Sequence, residues 1–391
     1  MTRAKIALIK TVVSTLLALL IPSAGLAQVH SGFPVDIVAG PSPQPFAANG
    51  KTHLLYELRI TNFSSKQIDL KALDVTADSE TSPLESYRED ALEKLLVPVG
   101  SDDSPSKASA IGGGRSLVIF LDLLLKRDAL APTKLRHRLT LSVALKDGAA
   151  IERVVDGPTV AVSQAPALVL RAPLKGSGWV AANALSSADH RRSLVAVDGR
   201  VRIAQRFAID WVQQGPDGRL FRGDSNSNAN FYGYGAEVIA AADGEVSDLR
   251  DGQSENAGSN VRENRAITLE NIAGNYVILN LGQGHFALYA HLQPGSLKVN
   301  LGDRVKAGAT LALLGNSGNS DAPHLHFQLM DSNSPLGAEG LPYELEMFTQ
   351  LGIVTVPDSL DAGQPWKPDS QAEPVVHKHE FPIDYAVVAF P

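Results

Sequence analysis

The chain has 391 residues, a net charge of −7 and no cysteine. That length allows two or three ordinary domains with sizeable cores, and the acidic balance disfavours a nucleic-acid binder that works by neutralising phosphates. Without thiols there is no disulfide framework and no thiolate catalysis, so any metal must be held by His, Asp or Glu.

At the N-terminus, Arg3, Lys5 and Lys10 precede an uncharged, mostly apolar run from Thr11 to Ile21. Small residues at Gly25 and Ala27 follow, just before Gln28. This is the pattern of a secretory signal peptide over residues 1–27, and the apolar run is shorter than the roughly 20 residues of a membrane span. The mature protein is expected to be exported, to a periplasm or to the cell exterior.

Leu54–Asn62 opens a series of short β-type runs, continued by Ser116–Leu121, Leu135–Val143 and Thr159–Ser163. Clusters such as Gly112-Gly113-Gly114 and Lys146-Asp147-Gly148 separate them. Alternating strands with turn signals at this spacing predict a small antiparallel sandwich, an accessory domain over residues 28–168. Its histidines, His30, His53 and His137, are isolated from one another and read as surface or strand positions.

Ala165-Pro166 and Ala172-Pro173, followed by Lys175-Gly176-Ser177-Gly178, mark the crossing into a second unit, residues 169–391. It also reads as mainly β, with strands and glycine turns and no long amphipathic period. In its later half, His324 and His326 flank Leu325. In a strand, side chains alternate, so the two imidazoles share a face with Cα atoms about 7 Å apart and can serve one site. Zinc takes histidine nitrogen and carboxylate oxygen, so an aspartate and one of these histidines could be two ligands, leaving the other histidine for proton transfer. A second pair, His377-Lys378-His379, sits after Gln371-Ala372-Glu373-Pro374 in a polar stretch and reads as a solvated segment. His285 reads as a turn residue, about 20 Å from His291 on an extended strand.

Four motifs frame the first pair: Tyr289-Ala290-His291-Leu292, Gly302-Asp303-Arg304-Val305-Lys306-Ala307-Gly308, Gly315-Asn316-Ser317-Gly318 and His324-Leu325-His326-Phe327. In this order and spacing they resemble the lysostaphin and LytM-type zinc endopeptidases that cut peptidoglycan peptides, over roughly residues 205 to 345. The resemblance implies a compact antiparallel β fold with the site in a groove on one sheet. It implies Asp210 and His326 as zinc ligands, and His291 and His324 as the pair that orients water and stabilises the transition state. One imidazole would accept a proton near neutral pH while the metal polarises the scissile carbonyl.

The chain departs from the family at Arg206, which stands where the first histidine ligand is expected, four residues before Asp210. An arginine stays protonated and offers no lone pair. It is free to pair with Asp210, to bind a substrate carboxylate, or to be a solvated strand residue. The nearest replacement ligand is His190. Asp198-Gly199 signals a hairpin between Ser193–Val197 and Arg200–Ala208, which returns His190 opposite Phe207, about 10 Å along the strand from Asp210. Strict alternation turns it to the wrong face unless a bulge or an ended strand intervenes; otherwise it is an ordinary loop histidine.

Two functions follow: an exported zinc endopeptidase acting on peptidoglycan stem peptides or cross-bridges, or a degenerate relative that binds the wall or regulates another hydrolase. The retained Asp210, His291, His324 and His326 favour the first, and Arg206 favours the second.

Overall fold

The computed structural model describes residues 33–99, 107–127, 129–144, 149–186, 188–259, 267–369 and 373–391. The leader, His30, the Lys146-Asp147-Gly148 turn and Gln371-Ala372 lie outside them. Residues 34–391 form one compact unit. The described residues are mainly β, and none of their helices is long and apolar enough to cross a membrane.

The first part of the chain makes two antiparallel sheets. One orders its strands Val35–Ala39, Lys51–Asn62, Ser116–Lys126, Leu96–Val99, with Phe46–Ala48 added to Lys51–Asn62. The other orders Ala150–Asp156, Lys134–Ala144, Ile68–Ala77, Glu85–Arg88, with short strands at Val160–Ala161 and Ala110–Ile111. The buried Tyr56 hydroxyl meets His137 Nε2 at 2.8 Å, tying one sheet to the other. His53 pairs with Asp122 at 3.0 Å.

A one-sided sandwich strand buries every second residue, yet Lys51–Asn62 is buried continuously from Thr52 to Leu58. Leu54, Tyr56 and Leu58 face one way, and Leu55 and Glu57 the other. Leu55 joins a core cluster with Phe46, Phe207, Tyr343 and Phe381, so the outer face is covered by the second part of the chain. Burying a leucine there contributes about 1.5–3 kcal/mol.

The rest of the chain builds an eleven-stranded sheet. Its order is Leu168–Leu170, Tyr343–Ile353, Ala386–Phe390, Gly176–Ala182, Ile209–Gln213, Leu325–Met330, His285–Leu292, Asn275–Gly282, Gly244–Arg250, Arg304–Val305, with Val375–Glu380 added to Tyr343–Ile353. The Leu168–Leu170 strand pairs in parallel with Tyr343–Ile353. One face packs Ile209, Trp211, Tyr289, Leu325 and Phe327 under the small sheet of Glu237–Ile239 and Thr310–Leu313. The other carries Asp210, Ala290 and His326 in one row, because Asp210 pairs with His326 and His326 with Ala290.

Three sequence expectations differ from the structure. His377-Lys378-His379 is not a loose solvated segment: Val375–Glu380 is a strand on Tyr343–Ile353, and His377 stacks on Phe348 with centroids 4.9 Å apart. The hairpin around Asp198-Gly199 pairs Val197 with Arg200 but ends at Val195 and Arg202. Beyond Arg202 the chain turns, with the Arg206 amide donating to the Ile203 carbonyl and that of Ala208 to Gln205. His285, expected to be a turn residue, is the first residue of a strand that begins just after Gln283-Gly284.

Candidate metal centre

The turn after Arg202 exists because Arg206 is drawn inward. Its Nε and Nη2 each donate to Glu57 at 2.9 Å, and Nη2 also donates to Glu339 at 3.0 Å. Nη1 reaches the Gly340 carbonyl at 3.2 Å. All three charged side chains are buried. Gly340 is a close approach, since a Cβ there would lie 2.6 Å from the Ala204 carbonyl. Arg206 is therefore neither a solvated strand residue nor a partner of Asp210, and its fork is already occupied. Removing one partner from such a buried pair costs about 3–5 kcal/mol, because the remaining charge is stranded.

With Arg206 facing away, His190 fills the position beside Asp210. It lies in a short helical turn, Ala188–Arg191, rather than on a strand opposite Phe207, so the alternation that would turn it outward does not apply. His190 Nε2 is 3.2 Å from Asp210 Oδ2. His326 Nδ1 is 2.8 Å from Asp210 Oδ1. One ligand atom from each of His190, Asp210 and His326 lies within 4.8 Å of the others.

His324 and His291 complete the group. His324 Nε2 lies 3.4 Å from Asp210 Oδ1, and the His291 and His324 ring centroids are 4.7 Å apart. His291 reaches the site through an irregularity. Leu292 pairs with Asn275 but Tyr289 pairs with Val277, so one residue is extra, and His291 takes φ 64°. Such a bulge re-aims a side chain. Tyr289 meanwhile points into the core, where its hydroxyl accepts the Ala241 amide at 2.8 Å.

The far nitrogen of each imidazole is committed. His190 Nδ1 donates to the Asn183 carbonyl at 2.7 Å, His291 Nδ1 to the Ser317 carbonyl at 2.7 Å, and His324 Nδ1 to the Ala322 carbonyl at 2.8 Å. A carbonyl only accepts, so each of these nitrogens carries a hydrogen and each Nε2 faces the site, where a neutral ring offers a lone pair and a protonated ring donates. His326 is reversed. Gln328 Nε2 donates to the Pro335 carbonyl at 3.1 Å, which turns Gln328 Oε1 to His326 Nε2 at 2.8 Å and leaves Nδ1 facing Asp210. Asn183 Nδ2 donates to Asp210 Oδ2 at 2.9 Å.

Lone pairs from several imidazoles thus converge on a carboxylate that can only accept. A divalent cation between His190, Asp210 and His326 satisfies all of them at once, and outer partners of this kind are what fix the tautomer of metal-binding histidines. Two imidazole nitrogens and one carboxylate oxygen make a three-ligand set that leaves a position open. The donor set therefore fits a metal ion. Burial pushes the Asp210 carboxyl up, but the facing His190 and His324, in their protonated form, hold it well below the usual carboxylate range. Burial, with His324 and His326 nearby, pushes His291 well below the ordinary histidine value, so it is neutral near neutral pH.

The Gly315-Asn316-Ser317-Gly318 motif supports the site from behind. Gly318 has φ 79°, and a Cβ there would lie 2.4 Å from the Gly274 amide nitrogen, so the loops carrying Ser317 and Gly274 touch. Ser317 Oγ donates to the Leu292 carbonyl at 2.8 Å, fixing the strand end that bears His291. A cavity of about 40 Å³ opens beside His291 and His326, with Ile272, Ala273, Leu288 and Leu336 among its lining.

The structure brings together all five residues singled out from sequence: His190, Asp210, His291, His324 and His326. Asn183 and Gln328 were not singled out. Gln328 had a signal, since it lies two residues beyond His326 and shares its strand face. Asn183 had little beyond its type, an Asn suited to the left-handed conformation it adopts at φ 53°.

Residues 229–337 match the model described as Peptidase family M23. It is similar to the peptidoglycan DD-endopeptidase ShyA of Vibrio cholerae, 36% identical over 66 residues, 17% of this chain and 15% of that one. It is also similar to the glycyl-glycine endopeptidase ALE-1 of Staphylococcus capitis, 49% identical over 49 residues, 12% of this chain and 13% of that one. The matched stretches are thus a small part of those relatives' lengths. Among solved structures, lysostaphin from Staphylococcus simulans aligns at 25% identity over 34% of this chain and 40% of its own, with a TM-score of 0.22. The catalytic domain of the M23 protein EnpA from Enterococcus faecalis aligns at 19% identity over 44% of this chain and 93% of its own, with a TM-score of 0.25.

Proposed function

We propose that residues 169–391 form a zinc metalloendopeptidase domain that hydrolyses peptide bonds of peptidoglycan stem peptides or cross-bridges. Residues 28–168 are its accessory domain, and residues 1–27 direct export to a periplasm or the cell exterior. The observation that carries this is the meeting of His190, Asp210 and His326, with His291 and His324 beside them. The relatives' names, a peptidoglycan DD-endopeptidase and a glycyl-glycine endopeptidase, support the substrate class.

In this assignment His190, Asp210 and His326 hold the ion, which when bound supplies Lewis acidity and makes water a nucleophile near neutral pH. Asn183 and Gln328 fix the orientation of Asp210 and His326. His291 and His324 present Nε2 to the reacting centre, one to take a proton from the attacking water and the other to donate to the carbonyl oxygen as it gains charge.

The degenerate alternative drew its support from Arg206. With Arg206 bound to Glu57 and Glu339 and His190 beside Asp210, that feature no longer favours it. The test is metal content by mass spectrometry of the purified chain, with digestion of isolated peptidoglycan followed by chromatography. One zinc per chain, and cleavage lost on chelation and restored by zinc, is expected. A chain that binds no zinc at neutral pH and leaves the wall intact returns the assignment to a binding or regulatory role.

A further inference from the structure

The segment that carries His190 belongs to no extended sheet. Of the five site histidine and aspartate residues, Asp210, His291 and His326 lie on neighbouring strands of the large sheet and His324 directly precedes one of them. His190 sits in a four-residue helical turn. What holds that turn is found on its flanks. Arg191 Nη2 donates to the Leu121 carbonyl at 2.8 Å, and Arg192 Nη2 to the Lys94 carbonyl at 2.7 Å while its guanidinium lies 5.6 Å from the Phe120 ring centroid. Leu194 and the buried Ile203 pack on Val118 and Phe120. Arg206 then closes the segment on Glu57, and Arg202 shares Glu339 with it at 3.3 Å. Leu121, Lys94, Phe120, Val118 and Glu57 all belong to the sandwich part of the chain.

Arg206 also connects to the site along the backbone. The turn it anchors places the Ala208 carbonyl 3.4 Å from His190 Nδ1, and two residues further on is Asp210. A guanidinium that keeps its charge, held bidentately by one carboxylate and again by a second, gives this turn a single geometry.

We propose that the sandwich is a working part of the metal centre: Arg206, clamped by Glu57 and Glu339, is a positioning residue that sets His190 against Asp210. Metal affinity then depends on the docking of the sandwich. This rests on the metal assignment above. Coupling of this kind is reciprocal, so metal binding also strengthens the docking. The arginine that stands in the family's ligand position has become the anchor for the residue that replaces that ligand.

The experiment is a zinc titration of the full chain against a chromophoric chelator, with melting temperature measured in parallel. Wild type, Glu57→Gln and Arg192→Ala are compared, each with and without His190→Ala. Glu57→Gln is expected to weaken zinc binding on the order of 10-fold, the usual cost of losing an outer partner, and Arg192→Ala by a smaller factor. In the His190→Ala background neither substitution changes the affinity further, because the route from clamp to metal has been cut. A lowered melting temperature with zinc affinity unchanged in both variants overturns the proposal, as does a loss that persists unchanged without His190. If Glu57→Gln does not fold, Arg192→Ala, at a partly exposed surface contact, decides alone. A wild-type chain without zinc would sink the metal assignment itself, whereas zinc-loaded wild type with unaffected variants overturns only the clamp.

Discussion

The two sides of the candidate centre are held by different means. On one side Asp210 and His326 face each other across adjacent strands and are fixed by the backbone ladder, with His291 turned in by the bulge one residue past their neighbour Ala290. On the other side His190 rides on an irregular stretch whose flanks are pinned by arginines to carbonyls and carboxylates of the sandwich. Sheet register gives a precise half-site cheaply in sequence terms, because alternation does the aiming. An irregular segment needs specific long-range partners for the same precision. The consequence is that the ladder side should tolerate changes in the sandwich, and the His190 side should not.

The strongest test of this division removes a residue from each side. His326→Ala and His190→Ala should each weaken zinc enough that the purified chain no longer carries it stoichiometrically and peptidoglycan cleavage is lost, although the residual affinity is still read in a chelator titration; if the His190 variant keeps full zinc and cleavage, the irregular side is not part of the centre. Next in size is His291→Ala, which removes neither side's ligands. Cleavage should fall by about 10²- to 10⁴-fold, the usual contribution of a positioned acid or base, with zinc content and melting temperature close to wild type. Cleavage at the wild-type rate would take His291 out of the mechanism.

The same division explains what could be read from the sequence. The ladder side was legible because its signals are local: His324 and His326 two apart, Tyr289-Ala290-His291, and glycines at the turns. Asp210 stood at the end of an apolar run, and its pairing with His326 is what two central strands of one sheet would give. The place of His190 was legible only as a choice, since the outcome depended on where the hairpin strand ended. That end is set by Arg206 turning inward to Glu57, 149 residues earlier in the chain. Nothing in the neighbourhood of Arg206 announces a carboxylate so distant. The nearest hint is in Leu54-Leu55-Tyr56-Glu57-Leu58, where a leucine and an acid on the outer face of a sandwich strand speak for a covered face.

Smaller effects separate the supports of the two sides. Gln328→Ala removes the acceptor for His326, and Asn183→Ala removes the donor to Asp210; each should weaken zinc by about 10- to 100-fold in a chelator competition. Asn183→Ala should carry an added stability loss, on the order of 1 kcal/mol, because an alanine must then hold a positive φ. Equal melting temperatures for the two variants would mean that the strand end at Asn183 relaxes without cost.

The smallest expected effect comes from the chain's other His-x-His pair, which has the same spacing and none of the surroundings. His377 stacks flat on Phe348 and its Nδ1 meets Glu380 at 2.9 Å, while His379 is exposed. Across the neighbouring strand His377 pairs with Phe348, an aromatic ring rather than a carboxylate. Replacing His377 with alanine should cost about 0.5–1.5 kcal/mol of stability through the lost ring contact, measured by denaturant titration, and His379→Ala still less. Neither should change zinc stoichiometry or cleavage. A drop in zinc content in either variant would mean that spacing alone, without the Asp210 partner and the bound far nitrogens, is enough to recruit metal in this fold, and the importance given to the ladder would have to be withdrawn.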